Sequence, residues 1–367
     1  MWNDIERKAW NGERLTRDEG IYLLTEADLL ALGQLAQEVR FRHNPQSYVT
    51  FVIDSNPNYT NICDTDCLFC AFYRKPGATD GYWLTVEQVM EKIAHAVSRG
   101  ATTVLLQGGH NPEIPLDYYL DLVHETRRRF PQVTPHFFSA SEIQAMSGYF
   151  NMSVRQVLEA LTEAGQFSLP GGGAEILSKR VRQRIAAKKG EPQDWLAVHR
   201  EAHRLGWHST ATMMYGHVET PEDVLEHWNY IRDLQDETGG FTAFVPWSFK
   251  PTHTYLSKWV AVGAGPNQYL RILAASRLYL DNFPHVQASW FSEGKKTGQV
   301  ALHFGADDFG GTLIEENVHA AAAFVNKTTT EETVEIIREA GFVAAQRTTL
   351  YEVFKIYESA PVPQSQA

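Results

Sequence analysis

Between residues 48 and 304 short β-rich runs alternate with amphipathic helical stretches, and this switching period limits the available folds more than any other feature. The runs 48–53, 102–106, 133–138, 167–169, 208–214, 241–246, 286–290 and 299–304 make eight strand candidates. Helices are expected between them at 85–99, 116–130, 153–164, 195–205, 221–238 and 266–281. In the first of these, Val86, Val89, Ile93 and Val97 share one face. Alternation of this kind builds a parallel sheet covered by helices. Eight units suit an α/β fold of the βα TIM-type barrel class, whereas an open flavodoxin-like sheet uses fewer.

The barrel is expected over 48–310. Residues 1–47 read as an N-terminal helical cap, with Thr16 and Glu19 spaced as a capping box and a second helix from 26 or 27 to 41. Residues 311–358 read as a C-terminal α/β extension packed on the barrel, with a helix at 330–340 and a strand near 342–347. The tail 359–367, with Pro361, Pro363 and Ser365, reads as disordered.

Composition narrows the class. A chain of 367 residues with 43% hydrophobic content can fill a sizeable core. With 33 basic against 44 acidic residues, it lacks the basic surplus of a broad nucleic-acid face. The first residues, Met1-Trp2-Asn3-Asp4-Ile5-Glu6, show neither the basic nor the apolar part of a signal peptide. The longest apolar run, near 320–325, is too short to span a bilayer. A cytoplasmic protein with reduced thiols is expected.

All 3 cysteines lie in one stretch, Cys63-Asp64-Thr65-Asp66-Cys67-Leu68-Phe69-Cys70. An odd count at such short spacing suits one inorganic centre better than a disulfide. Three thiolates on a 4Fe–4S cluster leave one iron open, which marks chemistry rather than structure. Phe69, Phe72 and Tyr73 form an apolar collar that would restrict water. The competing reading is a zinc site of three cysteines and one histidine, with His43 or His110 as fourth ligand.

In a βα-barrel the working residues sit on the loops after the strands. Gln107-Gly108-Gly109 follows the second strand candidate, and Gly171-Gly172-Gly173-Ala174-Glu175 the fourth. Glycines there permit close backbone approach, and Glu175 could accept both hydroxyls of a ribose. Gly216 and Glu219 follow the fifth strand, where Glu219 could also favour the next helix dipole. The basic run after Glu175 offers Arg180, Arg182 and Arg184, of which one at most would bind a carboxylate. His199 and His203 are four apart on a helix and read as surface histidines. His303 and Asp308 are the proton-transfer candidates, on position alone.

The spacing Cys-x3-Cys-x2-Cys, with an aromatic before the last cysteine, resembles the signature of the radical S-adenosylmethionine superfamily. That resemblance implies an open iron that chelates the amino and carboxylate groups of S-adenosylmethionine. It implies cofactor contacts from Gln107, Gly108 and Gly109, a ribose contact from Glu175, and an adenosine pocket lined by Gly216 and Glu219. The glutamate usual after the two glycines is His110 here. The segments 58–61, 71–74, 171–175, 212–220, 239–244 and 299–310 are similar to the radical enzymes of futalosine-dependent menaquinone synthesis and of deazaflavin synthesis. Ala288-Ser289-Trp290 and Phe309-Gly310-Gly311-Thr312 lean toward the branch that cyclises dehypoxanthine futalosine. The aminofutalosine synthases are the nearest competitors. The resemblance implies a 5′-deoxyadenosyl radical that abstracts the ribose C4′ hydrogen, followed by attack on the benzoate ring. It further implies an electron donor such as flavodoxin or ferredoxin, and no nucleic-acid or membrane partner.

Overall fold

The computed structural model describes residues 1–357, so the expectation for 359–367 lies outside the described residues. The strands are β1 Tyr48–Val52, β2 Asp54–Ser55, β3 Thr103–Leu106, β4 Thr134–Phe137, β5 Ser168–Leu169, β6 His208–Tyr215, β7 Phe241–Ser248, β8 His285–Val286, β9 Asp308–Gly311, β10 Val343–Arg347 and β11 Val353–Tyr357. They form three sheets, ordered β11-β10-β1-β9, β2-β3-β4 and β5-β6-β7-β8. Every pairing is parallel except β10 with β11. Only Ile53 separates β1 from β2, so one run of chain joins the first two sheets. A parallel bridge between Gln287 and Asp308 links the third sheet back to the first.

The result is a TIM-like α/β arrangement whose ladder stays open between β4 and β5. Side chains span that seam. Gln166 Nε2 donates to the Phe137 carbonyl at 2.8 Å and to the Ser168 carbonyl at 3.1 Å. His136 Nδ1 meets Ser168 Oγ at 2.7 Å. Both residues are buried, where unpaired amide or imidazole groups would be costly.

The amino-terminal helices are Trp2–Asn11, Arg17–Thr25 and Leu29–His43, and the Thr16–Glu19 capping box forms as expected. The second and third pack against the helix Pro266–Tyr279, whose Arg271 donates to the carbonyls of Leu23 and Ala27 at 3.0 and 2.6 Å, and the first packs on the third. Gly33 admits the Phe304 ring, with which any Cβ at that position would collide.

Three local expectations change. Residues 299–304 are not the eighth strand: the helix Lys295–Ala301 runs into them, and the eighth strand of the series is β9. Ala301 and Leu302 are both buried while Val300 and His303 are exposed, a helical rather than an alternating pattern. The run 286–290 shortens to β8 and passes into the helix Trp290–Glu293. The helix Ala140–Phe150 was not anticipated, although Ser139 and Glu142 make a full capping box at its start. The strand expected near 342–347 is β10. It lies hydrogen-bonded beside β1, with Tyr48 opposite Val343 and Phe51 opposite Gln346. No helix of the described residues is long and apolar enough to cross a membrane.

Candidate active site

The cysteines occupy the loop between β2 and the helix Val86–Ser98. Short polar bonds give this loop its shape. Asn58 Nδ2 donates to the Gln107 carbonyl at 2.8 Å, and Thr60 Oγ1 to the Tyr82 carbonyl at 2.7 Å. Asn61 Oδ1 accepts from Tyr82 N at 2.7 Å. Arg74 Nη1 collects the carbonyls of Ala71, Phe72 and Tyr73 at 3.2, 3.3 and 2.9 Å, closing the turn after Cys70. Asp66, between the first two cysteines, takes a left-handed φ of 45°.

All three cysteines are unpaired and line one cavity of about 340 Å³. Burial pushes the Cys67 thiol up to about 12 and raises that of Cys70. Such thiols stay protonated unless a cation replaces the proton, which is the condition under which cysteines ligate metal. Among the described residues, the group of ligand atoms close enough to hold a single ion is Cys63, Asp64 and His110. It includes one cysteine of the three, so a mononuclear Cys3His set is not assembled. His110 Nδ1 is engaged by Thr65 Oγ1 at 2.8 Å, and burial lowers its imidazole to about 3. His43 ends the helix Leu29–His43 and does not line the cavity. Three thiols on one cavity wall, of which only Cys63 has other ligand atoms close by, fit a 4Fe–4S cluster with one open iron better than a single ion.

Gln107, Gly108 and Gly109 line the same cavity beside the cysteines. A Cβ on Gly109 would strike the Ile62 carbonyl, and one on Gly108 would meet the Tyr59 ring 2.7 Å away. These glycines let the cysteine loop lie directly on the end of β3. Glu142 locks the junction, accepting from Tyr59 Oη at 2.8 Å and from Gly108 N at 3.0 Å.

Gly171 and Gly172 are equally tight, against the backbone of Thr210 to Thr212 and the Gln107 amide. Glu175 is buried, with φ of 48°, and lines the cavity. Lys189 Nζ donates to its Oε1 at 2.6 Å and lies 5.5 Å from the Phe69 ring centroid. Burial opposes the lysine charge, but the Glu175 carboxylate outweighs it and holds the ammonium above its ordinary range.

Other candidates lie elsewhere. Glu219 accepts from the backbone N–H of Gly216 and His217 at 2.5 and 2.8 Å; Gly216 and Glu219 brace a turn and do not line the cavity. The three arginines also stay outside. Arg180 is paired with Asp223, Arg184 lies over Trp259, and Arg182 is buried on the carbonyls of Gly173, Ala174, Lys189 and Gly190. Lys189, at the end of the same basic run, is the cation that enters. His303 is exposed and packs on Phe342, away from the cavity. The Asp308 carboxylate is engaged by Arg347, Thr50 and Gln287 behind the cavity wall. His199 is not a surface group, and His203 is half-buried. His199 is fully buried, and both rings contact Ser209 Oγ, at 2.8 and 2.7 Å.

The far wall of the cavity comes from segments the motifs did not reach. Trp247, Phe291 and His319 form an aromatic face, with His319 stacked on Phe291 at 5.4 Å between centroids. Asp54, Gln287, Arg347 and Tyr351 also line the cavity. Burial pushes the Asp54 carboxyl up to about 7, against the Leu313 N–H that it accepts at 2.8 Å. A polar residue at a strand end was the available signal for Asp54. Arg347 had none, because its place depends on β10 pairing with β1.

Residues 57–231 match the model of the radical SAM superfamily, and residues 238–360 match the CofH/MqnC C-terminal region. The chain is 42% identical to the cyclic dehypoxanthine futalosine synthase of Halalkalibacterium halodurans, over 96% of this chain and 95% of that one. It is 40% identical to the aminodeoxyfutalosine synthase of Thermus thermophilus, over 96% of each. The crystal structure of methylornithine synthase superposes with a TM-score of 0.73 at 16% identity, covering 92% of this chain and 96% of that one, a likeness of fold. Given a cysteine loop that fits the cluster and relatives that match along nearly its whole length, the chain belongs to the radical S-adenosylmethionine superfamily of enzymes, in the branch with the CofH/MqnC C-terminal region.

Proposed function

We propose that the chain is the radical cyclase of futalosine-dependent menaquinone synthesis, converting dehypoxanthine futalosine to its cyclic form in the cytoplasm. The supporting observation is one cavity shared between two segments. The radical SAM segment contributes Cys63, Cys67, Cys70, Gly108 and Glu175, and the C-terminal segment contributes Trp247, Phe291, His319 and Arg347. In this reading residues 1–47 cap a barrel over 48–310, and the chain beyond it completes the substrate wall.

When bound, the cluster and S-adenosylmethionine supply a 5′-deoxyadenosyl radical that takes the ribose C4′ hydrogen. The protein's own groups do the rest by position. Gly108 and Gly109 let the cofactor approach the backbone. Glu175, steadied by Lys189, offers its second oxygen to the ribose hydroxyls. The aromatic face of Trp247, Phe291 and His319 holds the benzoate ring beside the radical centre. Arg347 offers its remaining N–H groups to the benzoate carboxylate. Once the new carbon–carbon bond forms, the ring must lose a proton and an electron to regain aromaticity, the electron passing to the oxidised cluster that Cys63, Cys67 and Cys70 would hold. Asp54 takes the proton, the role first given to His303 and Asp308. It suits this because it faces the cavity and titrates near neutrality.

Anaerobic reconstitution with dehypoxanthine futalosine and mass spectrometry tests the reading. The expected product is lighter by one hydrogen pair, formed with 5′-deoxyadenosine and methionine. The second reading, an aminodeoxyfutalosine synthase, is favoured by the similar identity to the Thermus thermophilus enzyme. It wins if dehypoxanthine futalosine is unchanged while the enolpyruvate substrate is consumed.

A further inference from the structure

The outer side of the cysteine loop carries a surface that the chemistry above leaves unused. Cys67, Phe69 and Cys70 line the cavity, but Leu68 between them does not. Leu68 is held from the other side: its N–H donates to the Ile185 carbonyl at 2.9 Å, and its carbonyl accepts from Leu256 N at 2.8 Å. The helix Lys179–Ile185 and the turn Leu256–Lys258 therefore abut the loop between two cysteines. Around that turn Tyr255 is 58% exposed and Trp259 57% exposed. Exposed aromatics in a cluster are unusual on a surface with nothing to bind.

Each aromatic carries a cation. Lys258 Nζ lies 5.1 Å from the Tyr255 centroid, and the Arg184 guanidinium 5.3 Å from that of Trp259. Neither cation has a carboxylate within ion-pair distance among the described residues. Their neighbours Lys179, Arg180 and Lys188 are all neutralised, by Glu191, Asp223 and Asp66. On a chain with a formal charge of −11, this leaves two uncompensated cations on aromatics beside the cysteine loop.

We propose that Arg184, Lys258, Tyr255 and Trp259 form the docking surface for an acidic one-electron carrier protein that reduces the centre held by Cys63, Cys67 and Cys70. The proposal rests on the radical reading above and names the face through which its electron enters. The carrier is oxidised by one electron and the centre reduced by one; no bond forms or breaks and no proton moves. Aromatic anchors ringed by cations suit a small transient contact, and opposite charge speeds encounter. A second copy of this chain is the weaker occupant, because a two-fold contact through this patch would set its unpaired cations against each other.

The test uses the reconstituted enzyme and flavodoxin hydroquinone as the probe, with anaerobic stopped-flow recording of the cluster's visible absorbance. The R184E/K258E variant is expected to slow reduction by flavodoxin by ~10-fold or more and to flatten its dependence on ionic strength. Reduction by dithionite, and the S-adenosylmethionine cleavage that follows, should match wild type. R184K/K258R should restore the flavodoxin rate. Equal flavodoxin rates in wild type and R184E/K258E at low salt would overturn the proposal. So would a parallel loss with dithionite, or a change of sedimentation with no change in flavodoxin rate. A wild type that cleaves no S-adenosylmethionine after dithionite reduction defeats the radical reading itself, a result separate from any docking defect.

Discussion

Asp54 is a carboxylate that the fold holds in an unfavourable state. Its folded pKa is raised from the usual carboxylate range to about 7 by burial. Between those limits the folded state binds the proton that the unfolded state has released, so stability falls as pH rises from about 4 to 7. Asp54→Asn should therefore raise the denaturation midpoint at pH 8 while leaving it nearly unchanged at pH 4. The same substitution should lower cyclised product by ~10²-fold, the usual scale for a general base. S-adenosylmethionine cleavage should persist, and the rise of product formation through about pH 7 should disappear. Stability and activity moving in opposite directions would mark a site residue. At the cysteines the expectation is simpler. Cys67→Ala should lose both bound iron and S-adenosylmethionine cleavage, measured by metal analysis and deoxyadenosine formation; retained cleavage would refute the ligand assignment.

At the scale of elements, β10 joins the two ends of the chain's logic. It pairs with β1 and carries Arg347 to Asp308, with both side chains nearly inaccessible. Arg347→Met should cost about 3–5 kcal/mol in denaturant titrations, because it strands a buried carboxylate. Arg347→Met with Asp308→Asn should recover part of that loss. Such pairing explains what sequence could not convey. The strands β3, β4, β6 and β7 and the helix Pro221–Thr238 were legible because local period and caps decide them. The cysteine loop and its glycines were legible because spacing carries their chemistry. The run 299–304 misled because its apolar residues satisfy two periods, and packing of Phe304 on Gly33 settles which one. Arg347 and His319 were invisible because only contacts far along the chain bring them to the cavity, whereas Lys189 stood in a basic run whose composition does not say which member turns inward. His199 and His203 were misread because a helix-spaced histidine pair carries no mark of what covers it, here Trp195 and Phe241.

On the scale of the whole molecule, the first strand lies beside one of the last, and residues of both family segments line the cavity. Truncation after residue 311 should abolish substrate binding, and by exposing β1 it should yield aggregated protein in size-exclusion chromatography. The open seam between β4 and β5 has a different consequence. Where a ladder would share strain among many backbone bonds, this join relies on Gln166, His136 and Ser168. Backbone amides flanking it should exchange with deuterium sooner than those of β6 and β7, strands of eight residues each that pair at seven positions. The wall of the reaction chamber is thus least stiff on one side, and Gln166→Ala should speed exchange there while leaving that of β6 and β7 unchanged. The same substitution should shorten the survival of the loaded enzyme's visible absorbance in air, tying cluster lifetime to a glutamine far in sequence from the cysteines.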